Sequence, residues 1–351
     1  MPASGLNIVA IGGGTGLSTL LRGLKTYVNA DGGWSIGALG AIVTVTDEGG
    51  SSGVLRKEFG MLPPGDIRNC IVALAEEEQL LSRLFNYRFD TDSALKGHSL
   101  GNLLLTAMTD ITGSFDNAVL AASEVLAIRG EIYPSTLSDV RLRATLEDGT
   151  VLVGEVEISG SHIGEEAHTA PRHARITRLE LDPADAQPTA GALEALALAD
   201  LILIGPGSLY TSVLPNLAIA PIAEALRNAR ALRVYICNVM TQPNETDAYS
   251  AQDHLRTIVE HAGLVVDVMV LNGRRPTEVL LQTYAAMNQV PVQFDLEEIR
   301  ALGVTPFFGD IIAEANFVRH DPTALAQTVF QLYDRYGRTL ERMRRAPHDQ
   351  L

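Results

Sequence analysis

The chain alternates continuous apolar runs with stretches of helical hydrophobic spacing. Residues 6–11 form an apolar run that suits a parallel strand buried on both faces, and helical spacing follows at 17–28. A second apolar run, at 36–47, is enriched in β-branched residues toward its end. The alternation resumes at 189 and continues to a terminal helix around 322–343. This regular succession predicts right-handed crossovers and a mainly parallel sheet.

The pattern changes between about 128 and 181. Alternating apolar residues flank Asp148-Gly149, which predicts a β-hairpin, and a polar segment at 159–174 predicts an exposed loop. We therefore predict a Rossmann-like α/β fold, with a three-layer, mainly parallel sheet and a small inserted β-hairpin subdomain. The predicted parts are a nucleotide-binding α/β part at 1–127, an inserted β-rich subdomain at 128–185, and a second α/β part at 186–351 that completes the same sheet.

Composition and charge narrow the function classes. The 351 residues are 46% apolar and 20% charged, which is typical of a globular enzyme. The formal net charge of −15 argues against nucleic-acid binding, whereas a small anionic ligand needs only local donors. The sequence contains neither a targeting segment nor a run of eighteen apolar residues. This predicts a cytoplasmic protein without membrane insertion. Cys70 and Cys237 lie in apolar runs, which favours buried thiols over a disulfide or a metal pair.

A glycine-rich turn follows the first predicted strand. It comprises Gly12, Gly13, Gly14, Thr15 and Gly16. Small residues at this point allow close backbone approach, and the following helix directs its N-terminus at the ligand, so phosphate is the matching group. The dinucleotide fingerprint fails at Leu17, and Asp47 comes too late for the usual acidic residue, which disfavours NAD. A tight turn without a ligand is the alternative.

Acidic residues end the second predicted strand. Asp47 and Glu48 precede a glycine- and serine-rich stretch, an arrangement that a divalent cation beside phosphates would use, with an acidic turn as the alternative. The segment 48–65 as a whole reads as a long functional loop. Arg56 and Lys57, within it, either pair with phosphate or are solvated.

Two helix starts carry further polar groups. Asp66 reads as an N-cap after two prolines, and Arg68 and Asn69 follow within reach of a ligand. Ser99 is a predicted cap of a strongly apolar helix. Beside it, His98 is a candidate acid, base or ligand contact, with a structural role as the alternative. Asn102 completes this polar motif at 96–102. Three other histidines, His162, His168 and His173, lack a tight metal spacing, which favours a solvated loop.

A second strand-to-glycine turn occurs at 205–212. Gly207, Ser208 and Leu209 lie in this turn, Asn216 opens the next helix, and Asn238 ends the following strand. Two such turns in one sheet flank the crevice at a topological switch point, where open α/β sheets bind ligands.

Seven segments together resemble the gluconeogenesis factor family, bacterial proteins related to 2-phospho-L-lactate transferase. They are IGGGTGLSTLLRGLK, TVTDEGGSSGVLR, PPGDIRNCIVALAE, GHSLGNLLLTAMT, IGPGSLYTSVLPN, YICNVMTQ and VRHD. The similarity extends over nearly the whole chain, in order. Two positions depart from the family pattern. Glu48 stands where the family usually has Asp, and Pro322 stands where relatives often carry Thr, so phosphorylation there is not expected to transfer.

The resemblance implies a nucleotide site, binding of a UDP-sugar such as UDP-N-acetylglucosamine, and a role in cell shape and envelope synthesis during gluconeogenic growth. It also implies a homo-oligomer and a protein partner in envelope synthesis. Carried over by motif, Gly13 to Gly16, Gly207 and Ser208 would form the phosphate site. Asn216, Asn238 and Arg319 would contact the ligand, and Asp47 and Asp66 would hold Mg²⁺.

Two hypotheses remain open at this stage. The first is a nucleotide-sugar-binding regulatory protein with little or no catalysis, since no nucleophile–base pair is evident. The second is a phosphotransferase that resembles 2-phospho-L-lactate transferase, in which Mg²⁺ and the glycine turns position a diphosphate.

Overall fold

The structure is a computed structural model that describes residues 5–76, 78–90, 92–160, 174–314 and 317–345. Most of the predicted exposed loop at 159–174, including His162, His168 and His173, lies outside these residues.

The strands are β1 (Leu6–Gly12), β2 (Ile36–Val43), β3 (Glu131–Pro134), β4 (Arg141–Leu146), β5 (Val151–Val153), β6 (Ile176–Asp182), β7 (Leu201–Ile204), β8 (Leu232–Ile236), β9 (Val268–Asn272), β10 (Thr305–Gly309), β11 (Ile312–Glu314) and β12 (Val318–His320). The helices are α1 (Gly14–Leu24), α2 (Gly50–Phe59), α3 (Gly65–Leu74), α4 (Glu78–Phe85), α5 (Leu100–Thr112), α6 (Phe115–Val125), α7 (Glu155–Ser159), α8 (Ala190–Leu198), α9 (Leu214–Leu217), α10 (Ala220–Asn228), α11 (Ala251–Ala262), α12 (Glu278–Ala285), α13 (Leu296–Ala301) and α14 (Pro322–Arg345). A 3₁₀ turn at Lys25–Tyr27 and a π-helical turn at Leu209–Val213 complete the elements.

The central sheet has seven strands in the order β10-β9-β8-β7-β1-β2-β3, and its neighbours pair in parallel. From β1 the strand order proceeds toward one edge of the sheet through β2 and β3, and from β7 it proceeds toward the other edge through β8, β9 and β10. The two central strands, β1 and β7, pair from Ile8 with Leu201 to Ile11 with Ile204. Right-handed crossovers therefore place α1 and α10 on opposite faces of the sheet. The predicted Rossmann-like fold with a mainly parallel sheet is confirmed, and the switch point lies between β1 and β7.

The predicted hairpin is also confirmed. β4 and β5 pair antiparallel around Asp148-Gly149, and β6 joins β4 on its other side. Gly149 has a φ of +84°, and the Thr150 amide donates to Asp148 Oδ1 at 2.9 Å, as a tight turn requires. The part boundaries stay a prediction; β3 lies within the segment predicted as the insert and belongs to the central sheet.

Two element predictions need correction, and one pair of strands was not predicted. The segment 48–65 is not a continuous loop, because α2 starts at Gly50 and packs against α5. Its glycines and serines indicate a turn by composition, and tertiary packing overrides that tendency. The helix predicted over 216–228 is two helices, with Pro221 in the first turn of the second. Unpredicted β11 and β12 form a separate antiparallel pair.

The core lies on both sides of the central sheet, and Cys70 and Cys237 are buried in it, as predicted. Within the described ranges, no single helix combines the length and apolar character needed to cross a bilayer. One bent pair, Leu209–Leu217 with Ala220–Asn228, meets the length and composition criteria only when both parts are taken together.

Candidate functional site

The two glycine turns meet at the switch point. The first turn follows β1 and the second follows β7, so both emerge at the carboxyl edge of adjacent strands. A Cβ atom on Gly16 would lie 2.3 Å from the Pro206 carbonyl oxygen and 3.0 Å from Gly207 Cα. The Gly13 carbonyl oxygen lies 3.6 Å from where a Cβ on Gly207 would stand. Gly16 is therefore required for close backbone approach.

Asn216 links the two turns from beneath. Its side chain is fully buried, and Nδ2 donates to the Gly12 carbonyl oxygen at 3.2 Å and to the Ser212 carbonyl oxygen at 2.8 Å. Leu209 is equally buried. Neither side chain lines the cavity described next, so the structure places both in support of the turns.

A polar cavity of about 460 Å³ opens above the turns. Predicted residues that line it are Gly13, Thr15, Gly16, Gly207, Ser208, Asn238 and Arg319. The N-terminus of α1 adjoins it, and its N-cap, Gly13, provides no side-chain cap. The first-turn amides of this helix are donors of the kind that bind phosphate.

The far wall of the cavity is a hydrogen-bonded network that the sequence did not predict. Ser208 Oγ donates to the Glu245 carboxylate at 2.7 Å. Asn238 bonds twice to Gly207, accepting from its amide at 3.3 Å and donating to its carbonyl at 2.8 Å. Asn238 Nδ2 also donates to Gln242 Oε1 at 3.1 Å. These bonds fix the second glycine turn against the end of β8.

The β11–β12 pair contributes the cavity's basic side. Arg319 is exposed and is the one Arg or Lys among the described residues that line this cavity. Its neighbour His320 also lines the cavity, and burial lowers the pKa of His320 to about 4, partly offset by a bond to the Cys237 backbone. His320 Nε2 has no described partner. His320 is therefore neutral near pH 7, with a buried Nε2.

A group of three carboxylates lies beside the turns. Burial raises the pKa of Asp66 to about 7, and the neighbouring charge of Asp47 adds to that rise. Burial likewise raises the pKa of Glu155 to about 8, with the Asp47 charge again contributing. Asp47 Oδ2 would lie 2.2 Å from a Cβ on Gly65, and Asp66 Oδ2 would lie 2.5 Å from a Cβ on Gly13. These glycines leave the space that the carboxylates occupy.

Asp66 is not an N-cap, contrary to the sequence prediction. The helix α3 begins at Gly65, its N-cap is Pro64, and no side chain caps it. Asp66 lies in the first turn, where the Gly14 amide bonds to it and lowers its pKa. The carboxylate thus faces the start of α1 rather than its own helix.

Glu155 is the site residue that sequence reasoning missed. It begins α7, after the hairpin, and its Oε2 accepts from the Glu48 amide at 3.1 Å across 107 residues of sequence. Glu48, by contrast, pairs with Arg56 at 3.6 Å and Arg141 at 3.4 Å. Arg56 is buried and also pairs with Asp139, so it is neither solvated nor facing a phosphate.

The carboxylates suit a magnesium ion that phosphate oxygens complete. Within the part of the chain that the structure describes, no three or more His, Cys, Asp or Glu side chains are arranged to hold a metal by themselves. Mg²⁺ typically uses one or two carboxylates together with substrate phosphates and water. Asp47 and Asp66 provide that kind of donor set, and burial together with the Asp47 charge raises the pKa of Asp66.

The remaining predicted residues surround a separate cavity of about 220 Å³. Asn69 and Asn102 line it together with Asp47, Arg68 and Arg88. His98 lies nearby, with Nδ1 3.0 Å from Ser51 Oγ. Ser99 caps α5 by accepting from the Asn102 amide at 3.3 Å, which confirms the predicted cap. The sequence placed all these residues in one site, whereas the structure divides them between two cavities.

A third cavity, of about 580 Å³, adjoins the polar one. The two share Asn238, Val239 and Gln289, and the larger extends past the ends of β8 and β9. Apolar side chains such as Leu281 and Phe294 contribute to its lining. Together the two cavities offer a polar part at the glycine turns and a more apolar part beside them.

Comparison with known proteins gives consistent results. Residues 8–312 match the family described as 2-phospho-L-lactate transferase CofD. A relative from Aquifex aeolicus is 47% identical over 94% of this chain and 97% of its own. A gluconeogenesis factor from Bacillus subtilis is 43% identical over 93% of this chain and 97% of its own. A crystal structure of a UPF0052 family protein from Bacillus halodurans superposes with a TM-score of 0.85 at 43% identity, covering 93% of this chain and 99% of the other.

Proposed function

Because the chain belongs to the gluconeogenesis factor branch of the 2-phospho-L-lactate transferase family, we propose that it binds a nucleoside diphosphate ligand, a UDP-sugar, at the two glycine turns. In this proposal it acts in gluconeogenic growth as a ligand-dependent regulator of envelope synthesis. The observation that carries it is the contact between the turns, where Gly16 abuts Pro206 and both turns face one cavity.

The diphosphate is assigned to the polar cavity. Its first donors are the amides at the start of α1, which carries a positive partial charge at that end. Thr15 supplies a hydroxyl group beside them, and Arg319 supplies the positive charge. This supports an anionic ligand despite the overall negative charge of the chain.

The uridine or sugar is assigned to the larger neighbouring cavity. Asn238 lies on the shared wall, where its bonds to Gly207 and Gln242 hold that wall in place beside the base or sugar. Cavities of about 300–1,000 Å³ are the usual size for such ligands, and the two measure about 460 and 580 Å³ here.

Calorimetric titration with UDP-N-acetylglucosamine tests this proposal. We expect saturable binding that Arg319→Ala weakens about tenfold, since one charge-assisted contact to phosphate is lost. Arg335→Ala is the matched control, because Arg335 is also exposed and also lies over an aromatic ring, that of Tyr336. Absence of saturable heat with UDP-N-acetylglucosamine and with UDP would contradict the proposal.

A second candidate is a magnesium-dependent phosphotransferase, which the three neighbouring carboxylates favour. Asp47 and Asp66 would hold the cation, which would neutralise charge on a transferred phosphoryl group. Burial first, and then the Asp47 charge, raise the pKa values of Asp66 and Glu155, as expected of neighbouring buried carboxylates. Turnover of a nucleotide-activated phospho-acid that requires Mg²⁺ and disappears in Asp47→Asn would support this function, and unchanged turnover in that variant would exclude it.

A further inference from the structure

Arg68 is a buried cation that makes no direct ion pair with a described side chain. Its side chain is 7% exposed, and its guanidinium donates to Ser99 Oγ at 2.7 Å and to Asn69 Oδ1 at 2.8 Å, both neutral acceptors. It forms no ion pair with a carboxylate whose side chain the structure describes, and Nε has no partner there. Buried charges are normally paired, so this guanidinium requires an explanation.

A second arginine faces the same small cavity. Arg88 is exposed, donates to the Gly97 carbonyl oxygen at 2.8 Å, and makes no ion pair with any described side chain. Burial lowers the pKa of Arg68 and the like charge of Arg88 lowers it further, whereas the charges of Asp47 and Asp66 raise it. Two like charges beside one cavity of about 220 Å³ repel each other, and a bound anion would reduce that repulsion.

The N-terminus of α2 completes the lining. This ten-residue helix has Gly49 as its N-cap, with no side-chain cap. The Gly50 and Ser51 amides lack an acceptor among the described groups, whereas the next amide, of Ser52, donates to the Gly49 carbonyl oxygen. Free first-turn amides and the helix dipole both favour a negative group.

We propose that this cavity binds the phosphate group of a small phosphorylated ligand. Two guanidinium groups and two free amides outweigh the single lining carboxylate, Asp47, whose Oδ1 is already bonded to the Gly49 amide at 2.8 Å. The site shares no lining residue with the nucleotide cavity, so the inference does not depend on the nucleotide proposal. Asp47 borders this cavity and Glu155 borders the other, which places the carboxylate group between the two.

Hydrogen–deuterium exchange with inorganic phosphate tests the proposal on the full chain. Phosphate should slow exchange in peptides covering 49–55, with a half-saturating concentration that Arg88→Ala raises about tenfold. The matched control is Arg83→Ala, since Arg83 is exposed on α4 but does not line the cavity. Arg68→Lys, which keeps the buried charge but loses the planar fork, should also weaken protection.

Three results would overturn the proposal. They are no phosphate-dependent protection at 49–55, an Arg88→Ala response equal to that of the unaltered protein, and equal protection by acetate, which would indicate a carboxylate site. Arg319 lines the nucleotide cavity, so Arg319→Ala should leave the phosphate-dependent protection at 49–55 unchanged. Failure of UDP-sugar binding is therefore distinguishable from failure of this site.

Discussion

Gly16 and Pro206 lie so close that a Cβ atom on Gly16 would approach the Pro206 carbonyl oxygen to 2.3 Å. This contact joins the chain that leaves β1 to the chain that leaves β7, on the two sides of the switch point. The polar cavity forms above it, lined by both turns. Any change that separates these two backbones therefore alters the cavity as well as the fold.

Gly16→Ala should lower the free energy of unfolding by about 1–3 kcal/mol or more, because a methyl group overpacks rigid backbone. Gly12→Ala is the matched control, since a Cβ there would meet Leu17 Cβ at 3.6 Å, an ordinary contact. Urea unfolding measures the free energy of unfolding of both variants, and the dependence of that free energy on urea concentration should stay unchanged. Equal losses in the two variants would contradict the close approach at Gly16.

Asn216→Ala should lower the free energy of unfolding by about 1–3 kcal/mol, because the Gly12 and Ser212 carbonyl oxygens lose a buried donor. Asn117→Ala, at an exposed position on α6, should change it by less than about 0.5 kcal/mol. Thermal and urea unfolding measure both variants. If Asn216→Ala unfolded like the unaltered protein but lost UDP-sugar binding, Asn216 would be a ligand contact rather than a link between the turns.

The glycine turns and strand ends could be predicted from sequence because their signals are local. An apolar run followed by glycines at 12–16 or 205–207 indicates a buried strand and a tight backbone turn. Adjacent placement of these turns then follows from the handedness of crossovers in a parallel sheet.

Glu155 could not be predicted in the same way. It lies in the inserted segment, outside any motif, and reaches the site only because the hairpin folds back to place Oε2 on the Glu48 amide. The sequence could not predict either that Asn69 and Asn102 lie outside the nucleotide cavity. Their position depends on how α2, α3 and α5 pack together, which no local spacing encodes.

Stability should fall as pH rises from about 5 to 8 in the absence of divalent cations. The pKa of Asp66 is raised in the folded state to about 7, so folding favours its protonated form, and this contribution is lost as pH rises through that value. Asp66→Asn should flatten the profile, by less than about 1.4 kcal/mol per pH unit because one group binds at most one proton. Chemical denaturation from pH 5 to 8 measures this, and exposed Asp110→Asn should keep the original slope. A parallel profile in Asp66→Asn would contradict the raised pKa.

Glu155→Gln should separate repulsion from cation binding. The pKa of Glu155 is raised to about 8, so at pH 8 without divalent cations the neutral variant should be more stable than the unaltered protein, by about 1 kcal/mol. Added Mg²⁺ should stabilise the unaltered protein more than the variant, because the cation offsets a charge that Gln lacks. The control is Glu157→Gln on the same short helix, where the carboxylate bonds to the Val153 amide at 2.9 Å instead. Melting temperatures at pH 8 with Mg²⁺ or EDTA give the comparison. If Mg²⁺ stabilised the unaltered protein, Glu155→Gln and Glu157→Gln equally, the cation would not bind beside Glu155.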